Sequence, residues 1–139
     1  MKVLFDTNVV LDVLLDREPF AAPAAGLFVQ VEQGALGGLL CATTITTVHY
    51  LAGQVVGKDR GQSEIGKLLA LFEIAPVTRA MLETALTAKF SDFEDAVLHE
   101  AARHSGVQGI VTHDPKGFKQ ATLPIYSPVE LVRLLATLS

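Results

Sequence analysis

The sequence is poor in the residue types that mark several common protein classes. It has one cysteine and no tryptophan, and only 19% of its 139 residues are charged. A single cysteine excludes an internal disulfide, so a reducing compartment such as the cytoplasm is expected. The low charge content, together with a 50% share of hydrophobic residues, excludes a disordered tail or a charged coiled coil.

Long hydrophobic runs are missing too. The apolar N-terminal stretch is interrupted by Asp6, Asp12 and Asp16, and no small-residue cleavage pattern follows it. We therefore expect neither a signal peptide nor a membrane span.

Basic residues are scarce, since 11 Lys and Arg stand against 15 Asp and Glu and give a formal net charge of −4. This balance disfavours a protein that holds nucleic acid through a broad basic face. It leaves open a site in which a bound cation offsets the acidic side chains.

Short apolar segments alternate with segments of helical spacing, over a length typical of one domain. Predicted strands cover residues 3–5, 38–41, 72–77, 109–112 and 123–126. Predicted helices cover residues 9–15, 20–32, a segment opening at Thr43 or Thr44, 62–71, 78–88, 91–104 and a last segment from Ser127. Apolar strands separated by helices indicate βαβ units. The prediction is a single three-layer α/β domain, residues 1–139, with a central parallel sheet of about five strands and helices on both faces.

Two segments have the capping-box form S-x-x-E, at residues 91–94 and 127–130. We expect each to open a helix. In the first, helical spacing places Asp92, Asp95 and His99 on one side and Phe93, Val97 and Ala101 on the core side.

Acidic residues follow two of the predicted strands. Asp6 follows the first and Asp114 the fourth, and these two meet at one sheet edge if the strands are neighbours. The 91–104 helix can bring Asp95 to the same edge. Most of these acids could instead serve local structure, because Asp6 can cap a helix, Asp114 can open a turn, and Asp92 and Glu94 favour a first helical turn. Asp95 is the least explained by local structure.

Three carboxylates gathered without matching Lys or Arg repel one another. A hard divalent cation such as Mg²⁺ or Mn²⁺, bound through carboxylate oxygens and water, relieves that repulsion. An open coordination position on such a cation can polarise a phosphate oxygen and a water, so the residues favour metal-assisted phosphodiester hydrolysis.

The segments VLFDTNVVLDVLL (3–15) and DFEDAVLHEAARHSGVQGIVTHDPKGF (92–118) resemble the PIN domain of VapC-type toxin ribonucleases. The resemblance extends over nearly the whole chain. It implies a Mg²⁺- or Mn²⁺-dependent endoribonuclease, the toxin-like component of a toxin–antitoxin pair. The implied catalytic and metal-binding residues are Asp6, Asp95 and Asp114, with Asp92 as an auxiliary acid. Asn8 and Thr112 are implied supports of those ligands or contacts to substrate. Apart from the resemblance, Lys116 and Lys119 follow Asp114 closely enough to contact the RNA backbone, or they are solvated loop lysines.

One position departs from the family pattern. Many members carry a glutamate in the helix after the second strand, whereas no acid lies between Glu32 and Asp59 here. The matching place holds His49 or a neighbour. The alternative function is therefore a catalytically weak or inactive PIN-fold module that binds RNA or protein.

The expected partners are an RNA substrate, an antitoxin protein and further copies of the chain in a homodimer or higher homo-oligomer. Apolar residues of the early helices could form such an interface or simply be core: Val13, Leu14, Phe20, Leu27 and Phe28. Arg17 is among the few other cations available to contact a substrate.

Overall fold

A five-stranded sheet forms the centre of the fold in the computed structural model, which describes residues 1–138. The strands, numbered β1 to β5 in chain order, are Lys2–Phe5, Gly37–Cys41, Glu73–Ala75, Ile110–Val111 and Ile125–Tyr126. Their spatial order is β3-β2-β1-β4-β5, and every pair is parallel. The chain builds outward from β1 to β3 and then places β4 on the other side of β1. The strand order therefore reverses between β1 and β4, the point at which α/β sheets bind ligands.

Within residues 1–138, seven helices cover the sheet. They are, as α1 to α7, Thr7–Leu14, Ala21–Glu32, Ala42–Val56, Lys58–Leu71, Arg79–Thr87, Phe93–His104 and Pro128–Leu138. A short 3-10 turn, Pro115–Phe118, follows β4. None of the helices within residues 1–138 is long and apolar enough to cross a membrane.

The core lies on both faces of the sheet, because successive strand residues point to opposite sides. Val3 and Phe5 pack with apolar residues of α1, α2, α3, α4 and α7. Leu4, between them in sequence, packs instead with Leu98 of α6 and Ile110 of β4. This arrangement confirms the predicted three-layer α/β fold with a parallel sheet.

The register between β1 and β4 brings distant parts of the sequence together. Leu4 pairs with Ile110 and Phe5 with Val111, so the two strands end at the same level. The Asp6 N–H then donates to the Val111 carbonyl at 2.9 Å. The first and fourth strands are thus neighbours, which is the condition under which Asp6 and Asp114 are expected to meet at one sheet edge.

One of the two predicted capping boxes is present. In the 127–130 box, the Ser127 N–H donates to Glu130 Oε1 at 2.8 Å and the Glu130 N–H donates to Ser127 Oγ at 3.1 Å. The 91–94 box was a wrong prediction. Asp92 is the N-cap residue of α6, and its Oδ1 accepts the Asp95 N–H at 3.1 Å. Ser91 and Asp92 are both good cap residues, and capping from Asp92 moves the helix start by one position.

The side chains that α6 buries differ from the prediction at two positions. His99 was expected beside Asp95 at the sheet edge, but it is only 5% exposed and its Nε2 accepts the Thr122 N–H at 3.0 Å. Phe93, expected in the core, is the first helical residue and is 50% exposed. Val97 and Ala101 are buried as predicted.

The start of α3 differs from its prediction as well. The helix begins at Ala42 directly after β2, with Cys41 at the N-cap position and no side-chain cap. Thr44 does not cap; its hydroxyl is buried and hydrogen-bonded to the Thr7 hydroxyl at 2.8 Å. This contact joins α3 to the start of α1.

Candidate functional site

Acidic side chains gather in a pocket of about 330 Å³ at the carboxyl ends of β1 and β4. The pocket contains all four acids predicted from the sequence and one more, Glu94. Its lining consists of Asp6, Thr7, Asn8, Leu11, Arg17, Thr47, Asp92, Glu94, Asp95, His113 and Asp114. Residues from four separate segments of the chain thus converge on one opening.

Asp6 lies deepest. It occupies the N-cap position of α1, yet its side chain makes no capping hydrogen bond. Its Oδ2 instead accepts a hydrogen bond from Thr112 Oγ1 at 2.8 Å. Burial raises the pKa of the Asp6 carboxyl to about 6, against the opposing effect of the Thr112 hydrogen bond. The carboxylate therefore does no capping work and faces the pocket at an electrostatic cost.

Asn8 and Thr112 hold this corner together. Asn8 Nδ2 donates to Thr112 Oγ1 at 3.2 Å, and Asn8 Oδ1 accepts the His113 N–H at 3.3 Å. Thr112 Oγ1 also accepts the Asp114 N–H at 3.0 Å. The Thr112 hydroxyl thereby orients Asp6 and fixes the backbone of Asp114, which leads into the 3-10 turn.

Asp95 carries the most strongly shifted carboxyl of the pocket. Burial is the main cause that raises its pKa to about 7, and the negative charges of Asp6, Asp92, Glu94 and Asp114 raise it further. Asp95 lies in the first turn of α6, where its N–H donates to Asp92 Oδ1 at 3.1 Å. Charge on Asp95 is unfavourable until something positive enters the pocket.

Glu94 is a pocket residue that the sequence did not predict. Its Oε1 accepts a hydrogen bond from Thr7 Oγ1 at 3.5 Å. The capping-box pattern had assigned Glu94 a local role at the helix start. The competing pattern D-x-x-D, with Asp92 as the cap, would have left Glu94 free and indicated a fifth acid.

A cluster that no local sequence pattern indicates lies beside the acids. Asp12 of α1 is fully buried, and its two oxygens are bonded to different partners. Arg17 Nε donates to Oδ1 at 2.9 Å, and His113 Nδ1 forms a hydrogen bond with Oδ2. The His113 ring stacks on Phe20 with 4.1 Å between ring centroids. Asp12 and His113 are 101 positions apart, so no local pattern could have indicated the pair.

The family of this chain follows from its sequence. The pattern that describes the PIN domain matches residues 2–116. The chain belongs to the PIN domain family. The ribonuclease VapC1 of Aquifex aeolicus (strain VF5) is 25% identical over 142 residues, which cover 99% of this chain and 97% of that relative.

Several solved structures resemble this chain in fold. VapBC2 from Rickettsia felis, bound to a DNA fragment from its promoter, matches with a TM-score of 0.69 at 14% identity, over 91% of this chain and 98% of the other. FitAcB from Neisseria gonorrhoeae matches with a TM-score of 0.69 at 19% identity, over 93% of this chain and 99% of the other. VapC20 of Mycobacterium tuberculosis, a sarcin–ricin loop cleaving toxin, matches with a TM-score of 0.69 at 14% identity, over 88% of this chain and 96% of the other.

In this PIN domain, the helix after the second strand offers no acid to the pocket. His49, one candidate for the place of the family glutamate, is exposed and does not line the pocket. Thr47, two residues earlier, does line it. Thr47 therefore occupies the pocket-facing position of α3 and places a hydroxyl group there.

Lys116 and Lys119 lie outside the acidic pocket. Both are exposed and line an adjacent hollow together with Lys89, Phe90, Ser91, Gly117 and Gln120. Three lysines therefore stand beside the PIN-domain pocket without pairing with its acids.

The donor set of the pocket suits a hard divalent cation. Its acids offer carboxylate oxygens, the ligands that Mg²⁺ and Mn²⁺ favour, and burial together with the neighbouring negative charges raises the pKa of Asp95. As they are arranged within residues 1–138, no three His, Cys, Asp or Glu side chains stand close enough to hold one ion directly. Because Mg²⁺ usually keeps several of its waters in protein sites, contacts partly through water are compatible with this spacing.

Proposed function

We propose that this chain is a divalent-metal-dependent endoribonuclease that hydrolyses RNA phosphodiester bonds, and that residues 1–139 form one domain. The observation that carries the proposal is the convergence of five carboxylates from three chain segments on one open pocket. Arg17 is the only Lys or Arg that lines this pocket in the described part of the chain. Membership of the PIN domain family and similarity to a ribonuclease support the same function.

In this proposal Asp6, Asp95 and Asp114 hold Mg²⁺ or Mn²⁺ and are the catalytic residues, with Asp92 as an additional acid. The cation supplies Lewis-acid polarisation of a phosphate oxygen and activation of water. Thr112 and Asn8 keep Asp6 oriented toward the pocket through the hydrogen bonds described above. Glu94 adds negative charge at the mouth and strengthens the attraction for a cation.

The proposed partners follow from the relatives and from the surface. Several structural relatives are toxin–antitoxin complexes, and we propose that an antitoxin protein binds this toxin-like chain in the cytoplasm. Val13, Leu14 and Phe28 line an open, largely apolar groove between α1, α2 and α4, which can serve that protein or a second copy in a homodimer or higher homo-oligomer. Leu27 is fully buried, and Phe20 contacts His113.

The second candidate function is a PIN-fold module that binds RNA or protein without hydrolysis. Its support is the α3 position at which Thr47, in place of an acid, faces the pocket. The two candidates differ in one outcome, cleavage.

Cleavage is tested by incubating the purified chain with structured and unstructured RNAs in the presence of Mg²⁺, Mn²⁺ or EDTA. The proposal predicts internal cuts with either cation, and no cuts in EDTA or with Asp6→Asn. RNA that is bound but stays intact with both cations would favour the binding module. Cuts that persist in EDTA would contradict the metal site.

Gly117 provides a further test of the role of Asp95. A Cβ added at Gly117 would collide with Asp95 Oδ2. We expect Gly117→Ala to displace the carboxylate and to lower kcat at least about tenfold, because small misplacements of reacting groups are costly. The measurement is steady-state RNA cleavage alongside a thermal melt.

The matched control is Gly66→Ala in α4, where an added Cβ meets open space. This exchange should leave cleavage unchanged and stabilise the helix by about 0.5–1 kcal/mol. A folded Gly117→Ala protein that cleaves as fast as Gly66→Ala would remove Asp95 from the proposed site.

A further inference from the structure

Arg17 is placed by the way in which α1 ends. Asp16 adopts a left-handed conformation with φ of 50°. The Arg17 N–H donates to the Asp12 carbonyl at 3.0 Å and the Asp16 N–H donates to the Val13 carbonyl at 3.3 Å, the two hydrogen bonds of a Schellman motif. A residue other than glycine rarely adopts this backbone conformation. The turn therefore holds the Arg17 backbone at the rim of the pocket at some cost in backbone strain at Asp16.

The guanidinium of Arg17 is fixed from two sides. Its Nε donates to the buried Asp12 carboxylate at 2.9 Å, and its Nη2 donates to the Asn8 carbonyl at 3.1 Å. Asp12 is itself held by His113, whose ring stacks on Phe20. The fork of donors is therefore oriented before any ligand arrives.

The contact with Asp12 uses only part of the Arg17 guanidinium. A guanidinium has five N–H donors, and the two contacts above use two of them. The Arg17 side chain is 41% exposed and lines the acidic pocket. In the part of the chain that the structure describes, it forms no ion pair with any of the five pocket acids. Among the described residues, its remaining donors have no carboxylate partner.

We propose that Arg17 is a phosphate-binding residue of the RNA site, with Asp12 as its positioning residue. The inference rests on the proposed function and adds a subsite to it. A planar fork of N–H donors matches the non-bridging oxygens of a phosphodiester, and a preoriented guanidinium loses little rotamer entropy on binding. Arg17 draws the RNA backbone toward a pocket that would otherwise repel it.

The three lysines of the neighbouring hollow do not share this geometry. Lys89, Lys116 and Lys119 are exposed and have no hydrogen bond that orients them among the contacts of residues 1–138. Lysines of this kind attract a polyanion over a range of positions. Arg17, by contrast, marks one defined phosphate position beside the acids.

The experiment measures binding of a fluorescein-labelled RNA oligonucleotide by anisotropy in EDTA, so that no cleavage takes place. We expect Arg17→Gln to weaken binding about tenfold at every RNA sequence. The slope of log K against log salt concentration should fall in magnitude by about 0.7, the contribution of one phosphate contact on a single strand. The matched control is Arg79→Gln, which removes an equal charge from an exposed ion pair with Glu83 in α5 and should bind like wild type.

Arg17→Gln leaves Asp12 with one partner fewer and could lower stability. Arg17→Lys is therefore measured beside it, because it keeps the positive charge and loses the planar fork. We expect weaker binding than wild type with the wild-type salt slope.

A set of oligonucleotides with a neutral methylphosphonate at one linkage at a time locates the contact. One linkage should weaken wild-type binding about as much as Arg17→Gln does, and that linkage should have no further effect on Arg17→Gln. Binding by folded Arg17→Gln and Arg17→Lys that equals wild type at every salt concentration overturns the inference and leaves the proposed function standing. A wild-type protein that neither binds nor cleaves RNA overturns both.

Discussion

Asp95→Asn is expected to abolish RNA cleavage while making the cation-free protein more stable. The substitution keeps the shape of the side chain and removes the carboxylate that burial and four neighbouring acids disfavour. Because metal ligation contributes several kcal/mol to stabilising the transition state, we expect kcat to fall at least about 100-fold. In the absence of cation at about pH 8, the same change relieves repulsion and should raise Tm by roughly 2–4 °C.

The control for this variant is Asp59→Asn, which makes the same chemical change at an exposed position of the first turn of α4. It should cleave RNA at the wild-type rate and should not raise Tm. Loss of cleavage together with gain of stability distinguishes a functional acid from a structural one. An Asp95→Asn protein that cleaves within about threefold of wild type, or that melts well below it, would contradict the role given to Asp95.

The stability of the cation-free protein is expected to depend on pH through the same acids. The folded protein raises the pKa of Asp6 from 3.8 to about 6 and that of Asp95 from 3.8 to about 7. At a pH between the unfolded-state and folded-state pKa of each carboxyl, the folded protein binds more protons than the unfolded protein. The free energy of unfolding therefore falls as pH rises through this range. The contribution is complete below about pH 4 and is lost as pH rises through about 6 to 7. At about 1.4 kcal/mol per pKa unit, Asp6 alone accounts for up to about 3 kcal/mol.

His99 acts in the opposite direction, because burial lowers the pKa of its imidazole below 6.5 and stability is lost as pH falls. Because His99 contributes to the Tm of both proteins, its contribution cancels in the Tm difference between Asp95→Asn and wild type. We expect this difference to be near zero at about pH 4 and to grow to a few degrees at about pH 8. Millimolar Mg²⁺ or Mn²⁺ should raise the wild-type Tm at the higher pH and leave Asp95→Asn nearly unchanged. A pH-independent difference, or equal stabilisation of both proteins by cation, would contradict the electrostatic role of the pocket acids.

The sheet could be predicted from the sequence because its strands are short apolar runs, and a strand covered on both faces leaves that pattern in one dimension. The run from Val3 to Phe5 ends at Asp6 as expected. The helix boundaries were less accessible. Ser91 and Asp92 offer two adjacent helix starts, and because both are good cap residues the local sequence does not decide between them. That choice decides whether Glu94 caps the helix or faces the pocket.

Asp6 and Asp114 could be predicted from their places after strands, and Asn8 and Thr112 from the resemblance to the PIN domain, whereas the cluster beside them could not. Asp12, Arg17 and His113 come together only because β1 and β4 are neighbours and α1 ends in a tight turn. Their sequence positions look like those of ordinary helix and loop residues. The rotation of α3 about its axis decides that Thr47 and not His49 lines the pocket. The local sequence does not predict that rotation.

The pocket acids also change the meaning of the low content of basic residues. Five of the 15 Asp and Glu line one opening, and a divalent cation bound there would offset a large part of the formal charge of −4. Under the proposed function, RNA would then meet Arg17 in the pocket and three lysines in the adjacent hollow as cationic contacts.

The most direct test of the cation site is anomalous diffraction from crystals of the wild-type protein soaked in Mn²⁺. We expect an anomalous peak in the pocket between β1 and β4, in contact with Asp6, Asp95 and Asp114 directly or through one water, and no peak there in Asp95→Asn crystals. A pocket without manganese at saturating concentration, or a peak bound only by residues elsewhere, would contradict the proposed cation site.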